Sequence, residues 1–187
     1  MERKGLLIIL SGPSGVGKGT VRAELMKRPG LNLFYSISMT TRPMRQGEVS
    51  GREYYFVTRE QFKDNIAKGN LLEYAEFVGN YYGTPKDKVA KMLEEGKNVL
   101  LEIEVSGTLK VLKQCPDAVS IFLMPPSIQE LEERIRGRKT ESEEAIAERL
   151  AKARSELTMS HFYRYVVLND SVTRAADEIE QIIKKAQ

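Results

Sequence analysis

The sequence is poor in the residues that small secreted or metal-bound domains depend on. Its 187 residues include one cysteine, Cys115, one histidine, His161, and no tryptophan. A lone cysteine forbids an intramolecular disulfide, and with a single histidine beside it a Cys/His zinc site is excluded. The expected compartment is therefore a reducing one, the cytoplasm. Long apolar runs are lacking too. The longest aliphatic stretch, 6–10, has five residues, whereas a membrane-spanning helix needs about 20. It is also shorter than the roughly 7–15 apolar residues of a secretory signal, so the basic start Met1-Glu2-Arg3-Lys4 is not read as a targeting segment. Charge of one sign is in small excess: 29 Lys and Arg against 26 Asp and Glu give a net +3. That balance does not mark a nucleic-acid binder or a membrane-surface protein. Low-complexity tracts and internal repeats are absent. What is present, 41% hydrophobic and 29% charged residues, is the composition of a chain that folds around one core.

Hydrophobic patterning predicts an α/β fold, a parallel sheet with helices on both faces. Residues 5–10 are continuously apolar and bounded by glycine, as in a strand buried on both sides. A glycine-rich turn follows, then a helix over 20–27 with Val21 and Leu25 on one face, ended by Pro29-Gly30. Strands are expected over 33–37, 54–57, 71–78, 98–105, 118–124 and 165–168. Helices are expected after Thr58, whose spacing to Gln61 is that of a capping box, and after Thr84-Pro85, read as a cap residue followed by proline at the first helical position. Further helices should follow Ser127 (with Glu130) and Thr140 (with Glu143), and the last begins near Val172. The segment 38–85 differs from the rest in its polar loops, short strands and the tyrosines Tyr54, Tyr55, Tyr74, Tyr81 and Tyr82. It reads as an insertion that builds a small-molecule site. The charge-rich helical stretch 126–160, broken at Gly137, reads as a mobile flap. The expected division is one domain over 1–187: a core of about 1–37, 86–125 and 161–187, an inserted binding segment of about 38–85, and a lid of about 126–160.

Two features carry chemistry. The first is Gly12-Pro13-Ser14-Gly15-Val16-Gly17-Lys18-Gly19-Thr20, between the first strand and the first helix. Glycines let backbone N–H groups turn inward around an anion, the helix start adds partial positive charge, and Lys18 adds a full one. The strict phosphate-loop pattern has Ser or Thr directly after the lysine, where a hydroxyl reaches magnesium. Here that position is Gly19, and Thr20 comes one residue later. The second feature is Glu102 and Glu104 at the end of the strand 98–105. Alternation puts both on one side, at the end of a parallel sheet where ligands bind. A carboxylate there can hold the waters of a nucleotide-bound magnesium ion. The metal candidates are therefore Thr20 and Glu102, directly or through water, with water and phosphate oxygens alone as the alternative.

Several further segments resemble the guanylate kinase family. They are 36–56, which contains Thr40-Thr41-Arg42-Pro43-Met44-Arg45, then Leu72-Glu73-Tyr74, Gly79-Asn80-Tyr81-Tyr82-Gly83-Thr84, Leu101-Glu102-Ile103-Glu104 and the stretch 134–149. They occur in the family's order and cover nearly the whole chain. The resemblance implies a phosphate-loop fold with a GMP-binding insertion and a helical lid. It also implies an enzyme that transfers the γ-phosphate of ATP reversibly to GMP with Mg2+, in purine nucleotide metabolism. Arg42 and Arg45 would clamp the GMP phosphate, with Tyr54 and Tyr82 donating to it. Glu73 would accept from guanine N1–H and the 2-amino group, Ser38 and Thr84 would contact guanine, and Glu104 would lie near GMP where an aspartate is common. Arg134, Arg138 and Arg149 would close on the ATP phosphates, and Asn169 would lie beside adenine. The catalytic set is then Lys18, Arg42, Arg134, Arg138 and Arg149.

The expected mechanism is in-line attack of a GMP phosphate oxygen on the γ-phosphorus, with no covalent enzyme intermediate. Competing readings are a kinase for another nucleoside monophosphate and a non-catalytic interaction module of the same fold. The first is opposed by Glu73 with Ser38 and Thr84, the second by the presence of Lys18, Arg42, Arg45 and Glu73 together. A nucleic-acid partner is not expected, because the basic residues group as phosphate clamps and form no broad face. A regulatory GTPase is opposed by the lack of an Asn-Lys-x-Asp segment. ATP and GMP are the expected partners, and the assembly is left open between monomer and homodimer.

Overall fold

The computed structural model describes residues 4–137 and 142–187. The most apolar segment becomes the central strand: β1 (Leu7–Ser11) is buried along its whole length. It lies between β7 (Asn98–Glu102) and β8 (Val119–Met124), with β2 (Leu33–Tyr35) and β9 (Tyr165–Leu168) at the edges, and every pairing is parallel. Alternation along β1 feeds two cores. Ile8 and Leu10 pack with Val21, Leu25, Val119, Ile121, Ala175 and Ile179 on one face. Leu7 and Ile9 pack with Val99, Leu101, Val89 and Val111 on the other. Helices therefore cover both faces, as a parallel sheet requires. One side receives α1 (Lys18–Leu25), α5 (Ile128–Arg136), α6 (Glu143–Leu157) and α7 (Val172–Ala186), the other α3 (Lys86–Glu94) and α4 (Val105–Gln114). The α/β parallel sheet expected from the sequence is the fold observed.

The inserted segment forms its own four-stranded sheet, ordered β4-β3-β6-β5. It comprises β3 (Met39–Thr40), β4 (Tyr55–Phe56), β5 (Leu71–Phe77) and β6 (Asn80–Pro85), and α2 (Arg59–Ala67) packs Phe62 against it. The Thr58–Gln61 capping box at the start of α2 has both of its hydrogen bonds, 3.1 and 2.9 Å. No helix among the described residues is long and apolar enough to cross a membrane.

Four local expectations are corrected. The stretch 80–85, for which no strand is expected and whose Thr84-Pro85 reads as a helix cap and first helical proline, is strand β6. Pairing with β5 overrides local propensity, Pro85 becomes the N-cap of α3, and Thr84 turns its hydroxyl elsewhere. The strand expected to run to Val105 ends at Glu102, and α4 starts at Val105 with Glu104 as its N-cap. Glu102 and Glu104 therefore do not share one strand face. Helix α4 itself escaped the pattern reading, since Val105-Ser106-Gly107-Thr108 are weak helix formers. Finally, α6 is capped by Ser142, which accepts from the Ala145 amide at 3.2 Å, and the expected cap Thr140 lies outside the described residues.

Candidate functional site

The phosphate loop joins β1 to α1. Gly17, at φ +98°, is the N-cap of α1 in the left-handed region, and a Cβ there would also sit 2.8 Å from Asn169 Nδ2. A side chain at this position is thus excluded twice, by conformation and by contact. With glycine at the cap, no side chain claims the first amides of the helix. Lys18 lies across the loop and donates to the carbonyls of Gly12 and Pro13 at 2.7 and 3.1 Å. Burial pulls its ammonium below the usual value, while Glu156, Glu102 and Glu104 oppose that shift. Asn169, at the exit of β9, pins the loop from behind by donating to the Val16 carbonyl at 2.7 Å, and its own Oδ1 is buried without a partner.

Two arginines, one on α5 and one on α6, meet this loop. Arg134 of α5 donates to the Val16 and Asn169 carbonyls at 3.3 and 3.4 Å. Arg149 of α6 donates to Ser14 Oγ at 2.8 Å. Arg138 lies outside the described residues. Thr20 is exposed on the first turn of α1, and Glu102 leans toward the same turn. Its Oε1 lies 3.7 Å from where a Cβ of Gly19 would be, and its other oxygen pairs with Arg22 at 2.7 Å.

A cleft of about 280 Å³ opens between the two sheets, lined among others by Ser38, Glu73, Tyr82, Glu102, Glu104 and Lys152. At its floor Glu73, on β5, is 9% exposed and accepts from the Thr84 hydroxyl of β6 at 2.6 Å. Burial raises the Glu73 carboxyl above the usual carboxylate range; the Thr84 hydrogen bond and the Lys110 charge work against that rise. Gly107 on α4 makes the space: a Cβ there would come within 2.9 Å of Glu73 Oε2. Tyr82 leads outward from the cleft to Tyr54, edge-on at 6.0 Å between centroids. Arg42 lies 5.3 Å over the Tyr54 ring. The Arg42 guanidinium forks onto the Glu48 carboxylate at 2.7 and 3.0 Å, and the Arg45 amide donates to the same group at 2.7 Å. These bonds hold the Glu48 carboxyl down at about 2. The Arg45 side chain is exposed on its loop.

The structure thus gathers Ser38, Glu73, Thr84, Tyr82, Tyr54 and Arg42 along one wall and Lys18, Arg134, Arg149 and Asn169 around the loop. Pattern reading missed Glu48, Gly107, Arg22, Lys152 and Glu156. Only Glu48 carried a local signal, an acid close to two arginines in a polar loop. The other four meet the site through contacts between distant segments.

The profile of the family described as guanylate kinase matches residues 4–186. The chain is 53% identical over 184 residues to the guanylate kinases of Streptococcus thermophilus (strain CNRZ 1066) and Streptococcus agalactiae serotype III (strain NEM316), spanning 98% of this chain and 88% of each relative. It superposes on the crystal structure of guanylate kinase from Anaplasma phagocytophilum with a TM-score of 0.77 at 35% identity, covering 100% of this chain and 88% of that one. A shikimate kinase from Bacteroides thetaiotaomicron, 12% identical with a TM-score of 0.53 and coverage of 96% and 98%, shares the fold alone.

Proposed function

The chain belongs to the guanylate kinase family, and from that membership we propose how its residues divide the work of the reaction. It is an ATP:GMP phosphotransferase, forming ADP and GDP. The observation that carries the residue assignment is the buried Glu73–Thr84 pair in the cleft. An ionised carboxylate only accepts hydrogen bonds, and guanine offers two donors side by side, N1–H and the 2-amino group. Adenine offers neither arrangement. A buried acceptor left unpaired by the wrong base makes discrimination large. Ser38 and Thr84 complete the base contact, and Glu104 stands at its edge.

Arg42, Arg45, Tyr54 and Tyr82 form the clamp for the GMP phosphate. Arginine suits the task because its planar fork matches paired oxygens. Glu48 holds that fork in plane through the bidentate pair, and the remaining guanidinium donors serve the substrate. On the donor side, the backbone of Gly12, Pro13, Ser14, Gly15, Val16, Gly17, Gly19 and Thr20 with Lys18 cradles the ATP phosphates. The Asn169 Oδ1, a buried acceptor lacking a partner, supports its assignment to the adenine amino group.

An oxygen of the GMP phosphate attacks the γ-phosphorus as the bond to the β–γ bridging oxygen breaks, with no intermediate on the protein. Lys18, Arg134, Arg138 and Arg149 spread the charge that develops. Approach of the lid and of the 38–85 segment excludes water, the competing nucleophile. Among the described residues no cluster of acids or histidines suits a metal held by protein alone. The donor set fits a Mg2+ bound with ATP, carried by phosphates and waters with Glu102 and Thr20 as the protein's share. Bound there, the ion would neutralise phosphate charge. The division into a core of about 1–37, 86–125 and 161–187, a GMP segment of about 38–85 and a lid of about 126–160 follows the same roles. The cytoplasm, which holds the ATP and GMP pools, is the proposed compartment.

The test is ADP release from ATP–magnesium with GMP, AMP, UMP, dTMP and CMP supplied separately. Turnover with GMP alone is expected. Comparable turnover with another base would overturn the Glu73 assignment, and none with any would turn the reading to an interaction module. An Arg42→Met variant should lose most of its GMP affinity; normal affinity and turnover would remove Arg42 from the clamp.

A further inference from the structure

Helix α6 addresses both substrate sites from one face. Arg149, Lys152 and Glu156 stand three and four residues apart, the spacing of neighbours on one side of a helix. Arg149 reaches Ser14 of the phosphate loop at 2.8 Å, and Glu156 is buried, 9% exposed. Lys152, between them on the same face, reaches into the cleft. Its ammonium crosses the cleft to Glu104 at 2.9 Å, with Glu156 4.0 Å off.

The lining of the cleft makes this cation stand out. Glu73, Glu76, Glu102 and Glu104 all line it, and Lys152 is the single cationic residue doing so among the described residues. A nucleoside monophosphate brings close to two negative charges into a space bordered by four carboxylates. Glu73 has a use for its charge in reading the base, and Glu102 is paired with Arg22 at 2.7 Å. Glu104 relies on Lys152. Stability does not account for the pair, because its partners are 52% and 57% exposed and such pairs contribute little to folding. What it does set is geometry, since it joins the lid helix to the N-cap of α4 at the wall of the acceptor cleft.

We propose that Lys152 is a positioning residue of the acceptor site, a latch from the lid helix that neutralises Glu104 and couples occupation of the donor side to binding of the nucleoside monophosphate. The proposal rests on the assignment of this cleft to GMP. One placement of α6 sets both contacts, Arg149 on the phosphate loop and Lys152 on Glu104; phosphates on the loop hold that placement, and with it the neutralised Glu104 that GMP meets. By linkage, GMP must favour the donor nucleotide by the same factor.

The experiment uses the full chain as Lys152→Met, Lys152→Gln and Lys152→Arg. Steady-state kinetics are read with each substrate varied, and calorimetry measures GMP binding with and without a non-hydrolysable ATP analogue. The Met and Gln variants should raise the KM for GMP about three- to tenfold, leave the KM for ATP within about twofold and bring the coupling factor toward one. Lys152→Arg should restore both quantities. An unchanged GMP KM with unchanged coupling overturns the proposal. So does a fall in kcat at constant KM for both substrates, which would put Lys152 on the transferring phosphate instead. If the unsubstituted protein fails to phosphorylate GMP, the cleft assignment has failed; if it turns over GMP and the variants match it, only the latch has.

Discussion

Glu73 is asked to be charged where charge is costly. Its carboxyl is buried, and burial raises it above the usual carboxylate range. A carboxyl whose folded value exceeds its unfolded value binds protons more readily in the folded chain. Stability therefore falls as pH rises from the unfolded to the folded value, and the loss persists above that window. At neutral pH Glu73 thus works against folding. Glu73→Gln keeps an acceptor for the Thr84 hydroxyl and removes the charge. It should unfold at a higher temperature than the parent chain at pH 7.5, with the gap narrowing as pH is lowered through the folded value. The same change places an amide donor toward guanine, so kcat/KM for GMP should fall about 10²–10³-fold, roughly 3–4 kcal/mol. Calorimetric melting and initial rates check both arms, and a less stable variant that still uses GMP would contradict the assignment. At this scale the sequence was readable where residues sit in a contiguous motif, as with Lys18 and its glycines, whereas Glu73 and Thr84 were singled out only through the resemblance of their segments. It was silent on Gly107, whose missing Cβ leaves room for Glu73, because that contact joins segments 34 positions apart.

At the scale of elements, local signals succeeded where a turn or cap is self-contained and failed where a distant partner decides. The Thr58–Gln61 box was legible, since both of its hydrogen bonds span three residues. Thr58→Ala should lower stability by about 1 kcal/mol in urea unfolding. Strand β6 was not legible, because its Thr84-Pro85 reads as a helix start until β5 lies beside it. The connection between β5 and β6 shows how the pairing imposes itself. Val78 and Gly79 adopt φ of +46° and +71°, the left-handed pair of a two-residue hairpin turn that favours Asn-Gly. Valine there has a strained backbone, and its side chain is 79% exposed, so nothing buried is gained in return. Val78→Asn should stabilise the chain by about 0.5–1 kcal/mol, seen as a higher urea midpoint at unchanged slope. A lower midpoint would mean that the valine side chain has a packing role its exposure does not show.

For the whole molecule, the question is how the parallel sheet, the second sheet and the helices α5 and α6 act as one machine. The core was legible because buried parallel strands read as unbroken apolar runs, and 165–168 emerged with the expected bounds. How the three parts face each other was not, since contacts such as Arg149 to Ser14 bridge 135 positions. That contact makes a separable prediction. If Arg149 served only to bind ATP, its loss would raise the KM for ATP and spare kcat. If it meets charge that grows as the phosphoryl group leaves, its loss falls on kcat and kcat/KM together, because only interactions stronger in the transition state speed the step. The position of Arg149, on α6 and against Ser14 of the phosphate loop, favours the second. Arg149→Met should therefore lower kcat about 10³-fold, near 4 kcal/mol, with the KM for GMP changed less than about threefold. Lys152→Met should show the opposite split, with its effect on the GMP KM. The two residues lie one turn apart on the same helix, so a general disturbance of α6 would give both variants the same profile. Opposite profiles require that one face of α6 serve transfer at the loop and acceptor binding across the cleft.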